Sequence, residues 1–492
     1  MLLYVAIAFV SGLLLTAALY VWFTRRGART LANFKNAHSS SFSSSFSSSS
    51  STPKRIVVVG LFHPYCNAGG GGERVLWATI RALQNRYAFV TCVVYTGDVD
   101  APSDVVVDRA EKRFNIKIPD PDRIHFEYLH KRKWVEARTW PYFTLIGQSL
   151  GSILLGVEAL WRLFPDVYID TMGYAFTLPL FKWIAGCRVG CYVHYPTIST
   201  DMLEKVKSRR DDFNNPSIVS RSRLLTWFKL IYYRLFARVY GFVGSRANVV
   251  LVNSTWTKNH VDSLWKIPHR IFIVYPPCNT KDFATHGLVA DDNNNSHRTI
   301  ISIAQFRPEK NHRLQIEAFQ RFARSLPSGK QGSVKLLLVG SCRNKEDADR
   351  VDDLRQFADE LGVAADVQFK LNVPFTELKS LLVKATIGLH TMRDEHFGIG
   401  IVECMAAGAV VLAHDSGGPK SDIVVDWHGK TTGCLASTVD GYAGMMKMIL
   451  LDWDGKERLR VREAARASVI TRFSDESFDT SFIRRTERLF AW

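Results

Sequence analysis

Apolar and polar positions along this chain change rhythm many times. After Lys54, the run RIVVVGLF is apolar almost without break, GGERVLWATIRALQNR places apolar residues every three or four positions, and VTCVVYTG is apolar again. Short unbroken apolar runs read as strands buried on both faces and the intervening spacing as an amphipathic helix, so the pattern predicts βαβ units on a parallel sheet. Further strand-like runs occur at DVYIDT, RVGCYVHYP, ANVVLVNS and IFIVYPP. The polar stretch LVADDNNNSHR interrupts this series, after which TIISIAQF, VKLLLVG, DVQFKL, TIGLHT and AVVLAH alternate with helical segments. The expected organisation is therefore a first doubly wound domain over 54–285, a linker over 286–298 and a second α/β domain over 299–492. The closing helix is free in this reading to pack back on the first domain. Two such domains facing each other make a cleft, and ligands of open parallel sheets bind beyond the carboxyl ends of the strands.

The amino terminus has a different texture. Residues 1–23 carry no charge and end in Trp22-Phe23, long enough as a helix to cross a hydrocarbon core of about 30 Å. Arg25, Arg26 and Arg29 follow, which by the positive-inside rule predicts a lumenal amino terminus and a cytosolic remainder. The serine-rich segment within 24–53 cannot bury enough surface to offset its ordering entropy and is expected to be a flexible tether. Two long apolar helices are expected at 144–164 and 224–244; the second carries Lys229, Arg234 and Arg238 among aromatics, a mixture suited to a membrane interface as well as to an ordinary domain interior.

At 492 residues and 47% hydrophobic the chain is long enough for two cores, and its net charge of +16 suits an anionic ligand or membrane. No RNA-reading aromatic motif or paired zinc-ligand spacing accompanies that charge, which argues against nucleic acid. The eight cysteines are scattered through mostly apolar runs, unlike a disulfide framework, and Cys187 and Cys191 read as strand interior. Two glycosylation sequons begin at Asn253 and Asn294.

Candidate chemistry sits where loops follow strands. The loop Gly69, Gly70, Gly71, Gly72, Glu73 opens a helix, and successive glycines let backbone N–H groups approach an anion there. It is neither a GxGxxG nor a Walker loop, and a ligand-free tight turn is the competing reading. His194 closes an apolar strand. Arg307 and Lys310, in AQFRPEKN, place two cations at a helix start, an arrangement suited to a diphosphate. In EHFGIGIVECMAAG a helix beginning near Gly398 and Ile399 puts Glu395 in the preceding loop and Glu403 inside the first turns. A carboxylate in so apolar a helix needs hydrogen-bond donors, and sugar or ribose hydroxyls supply them.

Taken together, Glu395-x7-Glu403, Arg307-Pro308-Glu309-Lys310, the loop Gly69–Glu73 and HDSGGP (414–419) resemble the retaining glycosyltransferases of family 4, with the α/β GT-B fold of two Rossmann-like domains. The resemblance covers nearly the whole chain after the anchor, and the finer texture of GLFHPYCNAGGGGERVLW, YVHYPTIS, AQFRPEKNH and EHFGIGIVECMAAG resembles members that use GDP-mannose in asparagine-linked glycosylation. It implies that Lys310 binds the donor diphosphate, that Glu403 holds the ribose, and that Glu395 and His194 act at the transferred sugar. The family carries an arginine five residues before the lysine; this chain has Gln305 there and Arg307 two residues later. The resemblance further implies no metal or other cofactor beyond the donor, and a dolichyl-diphosphate oligosaccharide as acceptor at the cytosolic face of the endoplasmic reticulum membrane. Other mannosyltransferases of that pathway are candidate partners. A sugar-nucleotide epimerase would share the nucleotide pocket without needing an anchor, and a non-catalytic scaffold would not need Lys310, Glu395 and Glu403.

Overall fold

The computed structural model describes residues 2–43, 56–199, 202, 223–285, 287–288, 298–327, 329 and 332–491. The chain forms two compact units, one of residues 1–253, 257–274 and 479–492, the other of 254–256 and 275–478. The division falls at Val274/Tyr275, ahead of the expected 286–298 linker, most of which lies outside the described residues. The last fourteen residues, from Asp479, belong to the first unit; there Arg81 pairs with Asp479 at 2.8 Å and Phe490 stacks on Tyr87 at 4.6 Å.

The first unit holds seven strands, β1 (Val57–Phe62), β2 (Val90–Thr96), β3 (Ile124–Tyr128), β4 (Val167–Asp170), β5 (Arg188–Val193), β6 (Val249–Val252) and β7 (Ile271–Ile273), in the order 3-2-1-4-5-6-7. The second holds six, β8 (Arg298–Ile303), β9 (Val334–Gly340), β10 (Val367–Leu371), β11 (Ile387–Leu389), β12 (Val410–His414) and β13 (Cys434–Ala436), in the order 10-9-8-11-12-13. Every pairing is parallel, for example Val57 to Val90 and Arg298 to Val334. β1 and β2 are buried at every position, which is why they read as unbroken apolar runs. Strands β3 and β13 escaped the sequence pattern. Both are edge strands; β3 is only half-buried after its first residue and so mixes polar with apolar positions, and β13 is apolar but only three residues long.

The expected tether needs correction over its first part. A single helix runs from Leu2 to Ser43, about 63 Å at ~1.5 Å per residue, and its second half packs on the first unit. Phe23, Leu31 and Phe34 join that unit's core, Lys35 pairs with buried Asp166 at 2.7 Å, and a Cβ on Gly27 would meet Phe164 at 2.3 Å. These contacts hold the helix against the serine content that pulls towards coil. The tether's remainder, 44–53, lies outside the described residues.

The two long apolar helices are present as Thr144–Arg162 and Arg223–Gly244. The first is long and apolar enough to cross a membrane, but Leu155, Ala159 and Leu160 are core residues, and a Cβ on Gly151 would stand 1.9 Å from the Trp134 carbonyl oxygen. It is a wall of the domain. All eight cysteines are free; Cys191 is buried inside β5, as expected of strand interior, whereas Cys187 is buried in the same core just ahead of that strand. Asn253 of the first sequon is buried and donates to the His194 carbonyl at 2.8 Å; Asn294 lies outside the described residues.

Candidate active site

In each sheet the strand order reverses once, between β1 and β4 in the first unit and between β8 and β11 in the second. Such switch points open a crevice beyond the carboxyl ends of the strands. Both groups of candidate residues lie at these ends.

In the first unit the glycine loop follows β1. Gly69 has φ +78°, and a Cβ there would meet Arg113 at 2.4 Å, so the turn requires glycine. Gly70 caps the helix Gly71–Arg86, and Glu73 bends back so that its carboxylate accepts from the Gly70 N–H. The other oxygen of Glu73 lies 3.3 Å from His63 Nε2, while His63 Nδ1 lies 2.8 Å from the Thr171 hydroxyl. Burial acts to raise the Glu73 carboxyl, but the hydrogen bond and charge of His63 outweigh it, with help from the Gly70 N–H, and hold it below its ordinary value. Glu73 is thus turned inward as a clamp on the loop. The first N–H groups of any helix lack partners within it, and here the Glu73 carboxylate takes up N–H groups at the helix start. His194 Nε2–H donates to the Thr171 carbonyl at 2.9 Å, and a Cβ on Gly72 would lie 3.6 Å from that nitrogen. Histidine and glycine loop are therefore neighbours. Asp170, fully buried at the end of β4, takes a bond from the Met172 N–H; desolvation raises its carboxyl to about 7.

In the second unit β8 leads into Arg307-Pro308-Glu309-Lys310 and, through Asn311 at φ 50°, into the helix His312–Arg324. Lys310 Nζ is ion-paired to Glu395 Oε2 and lies 3.1 Å from the Met392 sulfur. His390 Nε2 reaches the same Glu395 oxygen at 3.1 Å. Burial acts to raise the Glu395 carboxyl, but the His390 hydrogen bond and the Lys310 charge prevail and hold it well below the usual carboxylate range. The HDSGGP loop supports this segment. The Gly418 N–H donates to the Glu395 carbonyl at 2.8 Å, the Asp394 N–H to the Ser416 hydroxyl at 2.8 Å, and a Cβ on Gly417 would come within 2.4 Å of the Glu395 carbonyl oxygen.

Gly398, with φ +112°, caps the helix Ile399–Ala407, whose start lies over the end of β8: a Cβ on Gly400 would be 3.5 Å from the Ile303 carbonyl. Glu403 is half-buried one turn inside that helix. Arg307 does not join Lys310 and Glu395. It is 43% exposed and 3.8 Å from Glu309, a loose surface pair.

His63, Thr171, Asp170 and His390 were not singled out by the sequence pattern. One signal was available: His63, His194 and His390 each stand one residue beyond the end of a central strand. Among the described residues no group of three or more His, Cys, Asp or Glu side chains is placed to hold a metal ion.

Two parallel Rossmann-like sheets, with a glycine-rich loop after the first strand of one and a lysine, a glutamate and a helix amino end at the switch point of the other, define a glycosyltransferase of the GT-B class. Residues 56–265 match the model of the ALG11 mannosyltransferase N-terminus and residues 290–468 that of glycosyl transferases group 1. The chain belongs to the ALG11 mannosyltransferase family. It is 55% identical over 440 residues to the GDP-Man:Man(3)GlcNAc(2)-PP-Dol alpha-1,2-mannosyltransferase of Mus musculus, covering 89% of this chain and 88% of that one. The Homo sapiens protein of the same name is 53% identical over 441 residues, 90% and 89% of the two chains. Among solved structures, sucrose-phosphate synthase from Thermosynechococcus elongatus aligns with a TM-score of 0.62 at 16% identity over 88% of this chain and 99% of that one, a likeness of fold.

Proposed function

We propose that this protein is a retaining α-1,2-mannosyltransferase that moves mannose from GDP-mannose to a dolichyl-diphosphate-linked Man(3)GlcNAc(2) oligosaccharide, in two sequential additions, at the cytosolic face of the endoplasmic reticulum. The observation that carries this reading is the 53–55% identity, along nearly the full length, to relatives named for that donor and acceptor, joined to a Lys310–Glu395 pair standing at a switch point. Lys310 and the helix start at Gly398 and Ile399 take the diphosphate, Glu403 the ribose, and Glu395 and His194 the mannose; the loop Gly69–Glu73 serves phosphate or acceptor. Cations and helix N–H groups stabilise the leaving diphosphate without a metal. That diphosphate can itself assist the incoming hydroxyl on the same face of the sugar, which preserves the anomeric configuration. Incubating the purified protein with GDP-mannose and the lipid-linked acceptor should give acceptor heavier by two hexoses. An unchanged acceptor mass would sink the reading and favour a scaffold.

Membrane attachment rests on two features of the first unit. The amino-terminal helix extends through the uncharged segment 2–23, while Arg26, just beyond, donates to the Trp161 carbonyl at 2.8 Å. The helix Arg223–Gly244 exposes Trp227, Phe228, Ile231, Leu235, Val239 and Phe242 on one face, with Arg234 and Arg238 exposed among them. Water solvates such a face poorly, whereas an anionic bilayer accepts both its rings and its cations. Because residues 23–35 are packed into the fold, the informative truncation removes residues 2–15 only. That variant should still co-sediment with vesicles containing phosphatidylserine, and adding Trp227→Ser, Phe228→Ser and Leu235→Ser should release it. Co-sedimentation unaffected by the serine substitutions would rule this face out.

A further inference from the structure

We propose that His390 is a positioning residue of the donor site, the fixed partner that keeps the Glu395 carboxylate aimed while its mobile partner, Lys310, turns to the donor diphosphate. The inference rests on the mannosyltransferase reading above and deepens it.

The starting observation is that two donors share one oxygen. Lys310 Nζ and His390 Nε2 both reach Glu395 Oε2, and among the described residues Oε1 has no protein partner. A carboxylate only accepts, so Nε2 carries the proton of this hydrogen bond. His390 Nδ1 is buried and has no partner among the described residues, so the ring directs its one hydrogen bond to Glu395.

The two donors differ in freedom. His390 is 9% exposed; its backbone N–H donates to the Leu412 carbonyl at 2.9 Å, and its carbonyl accepts from the Tyr442 hydroxyl at 3.0 Å. Strand β12 and the buried Tyr442 hold it from both sides. The Lys310 ammonium sits at the end of a flexible four-carbon stem in a turn, its other side-chain contact among the described residues being the Met392 thioether. A diphosphate carries more charge than one carboxylate and competes for that ammonium. Once Lys310 turns to it, Glu395 would be a buried carboxylate with nothing to hold it, a costly state, were His390 not in place. With His390 bound to Oε2, Oε1 is left to accept a hydroxyl of the sugar.

The other ionisable groups around this pair come from four elements: Arg393 and Asp394 from the Glu395 loop, His414 and Asp415 from the end of β12, His312 from the helix after Lys310, and Arg350 from the helix Lys345–Glu360. None of them hydrogen-bonds to the Glu395 carboxylate, so its ionisation depends on His390 and Lys310.

The test compares wild type, His390→Leu, His390→Gln and His390→Asn in the full-length protein, after thermal melts establish which variants fold. Gln can place an amide N–H near the position of Nε2, whereas Asn is too short. Wild-type mannose transfer is read first and by itself decides the mannosyltransferase reading; GDP alone, titrated by calorimetry, gives a second readout independent of transfer. His390→Leu should lower kcat roughly 10- to 100-fold, the loss of one hydrogen bond to a charged group, and weaken GDP, because Lys310 becomes harder to draw from Glu395. The acid limb of its kcat profile should move up by about one pH unit or more, since the carboxylate loses a group that keeps it ionised. His390→Gln should recover most of both, and in a Glu395→Gln background His390→Leu should add nothing. Where the leucine variant does not fold, Gln and Asn decide: Gln near wild type with Asn impaired supports the role. Equal kinetics and GDP affinity across the folded variants, or equal losses with an unshifted acid limb, overturn it.

Discussion

Glu395→Gln is expected to lower kcat roughly 10²-fold while leaving KM for GDP-mannose within a few-fold of wild type. The carboxylate is held ionised against its burial by His390 and Lys310, and only one of its oxygens is engaged by them. If it orients mannose as positive charge develops at the anomeric carbon, its charge counts more in the transition state than in the ground state, and about 2.7 kcal/mol of lost stabilisation gives that factor. The amide is isosteric, so packing is retained. Glu403→Gln provides the contrast. A residue that grips the ribose in ground and transition states alike contributes uniform binding, so its loss should raise KM for the donor with kcat little changed. Steady-state kinetics with donor varied at saturating acceptor separate the two, and a Glu395→Gln enzyme with normal kcat would remove that residue from the chemistry.

Lys310→Ala should weaken donor use far more than Arg307→Ala. Lys310 is largely buried and paired with Glu395, so its removal strips Glu395 of one of two partners and, on the proposed role, takes away the diphosphate contact. A charge-assisted contact in such a setting contributes about 1.5 to 3 kcal/mol, or roughly 10- to 100-fold in kcat/KM. Arg307 is 43% exposed and 3.8 Å from Glu309; exposed pairs contribute about 0 to 1 kcal/mol, which bounds its effect near fivefold. Comparable losses in the two variants would mean that Arg307 swings onto the diphosphate and takes the place of the arginine that Gln305 replaces. Near-normal kcat/KM in both would put the diphosphate elsewhere.

Much of the architecture is legible in the sequence. Two parallel sheets follow from unbroken apolar runs alternating with helical spacing, because strands covered on both faces can carry only such runs. The segments AQFRPEKN and EHFGIGIVECMAAG could be placed at strand ends because strand, turn and helix start are all local in sequence. The same locality explains the helix at Ile399–Ala407, whose φ +112° cap only glycine tolerates well.

What the tertiary structure alone decided depends on residues distant along the chain. Lys310 and Glu395 are 85 positions apart, and no local period announces that His390 reaches the same carboxylate oxygen. Glu73 looked like part of an anion-binding loop; a histidine ten positions earlier and its own helix cap turn it inward. Gly417 and Gly418 read as part of a motif, and the reason for them, the close passage of the Glu395 loop, exists only after folding. Likewise the serine content of the amino-terminal segment favours coil, yet Phe23, Leu31, Phe34 and Lys35 find partners on the first unit and the helix persists to Ser43. The local pattern reports what each segment can form by itself. Burial and pairing, which set the charge state and direction of the carboxylates, arise from contacts that the chain makes only when its distant parts meet.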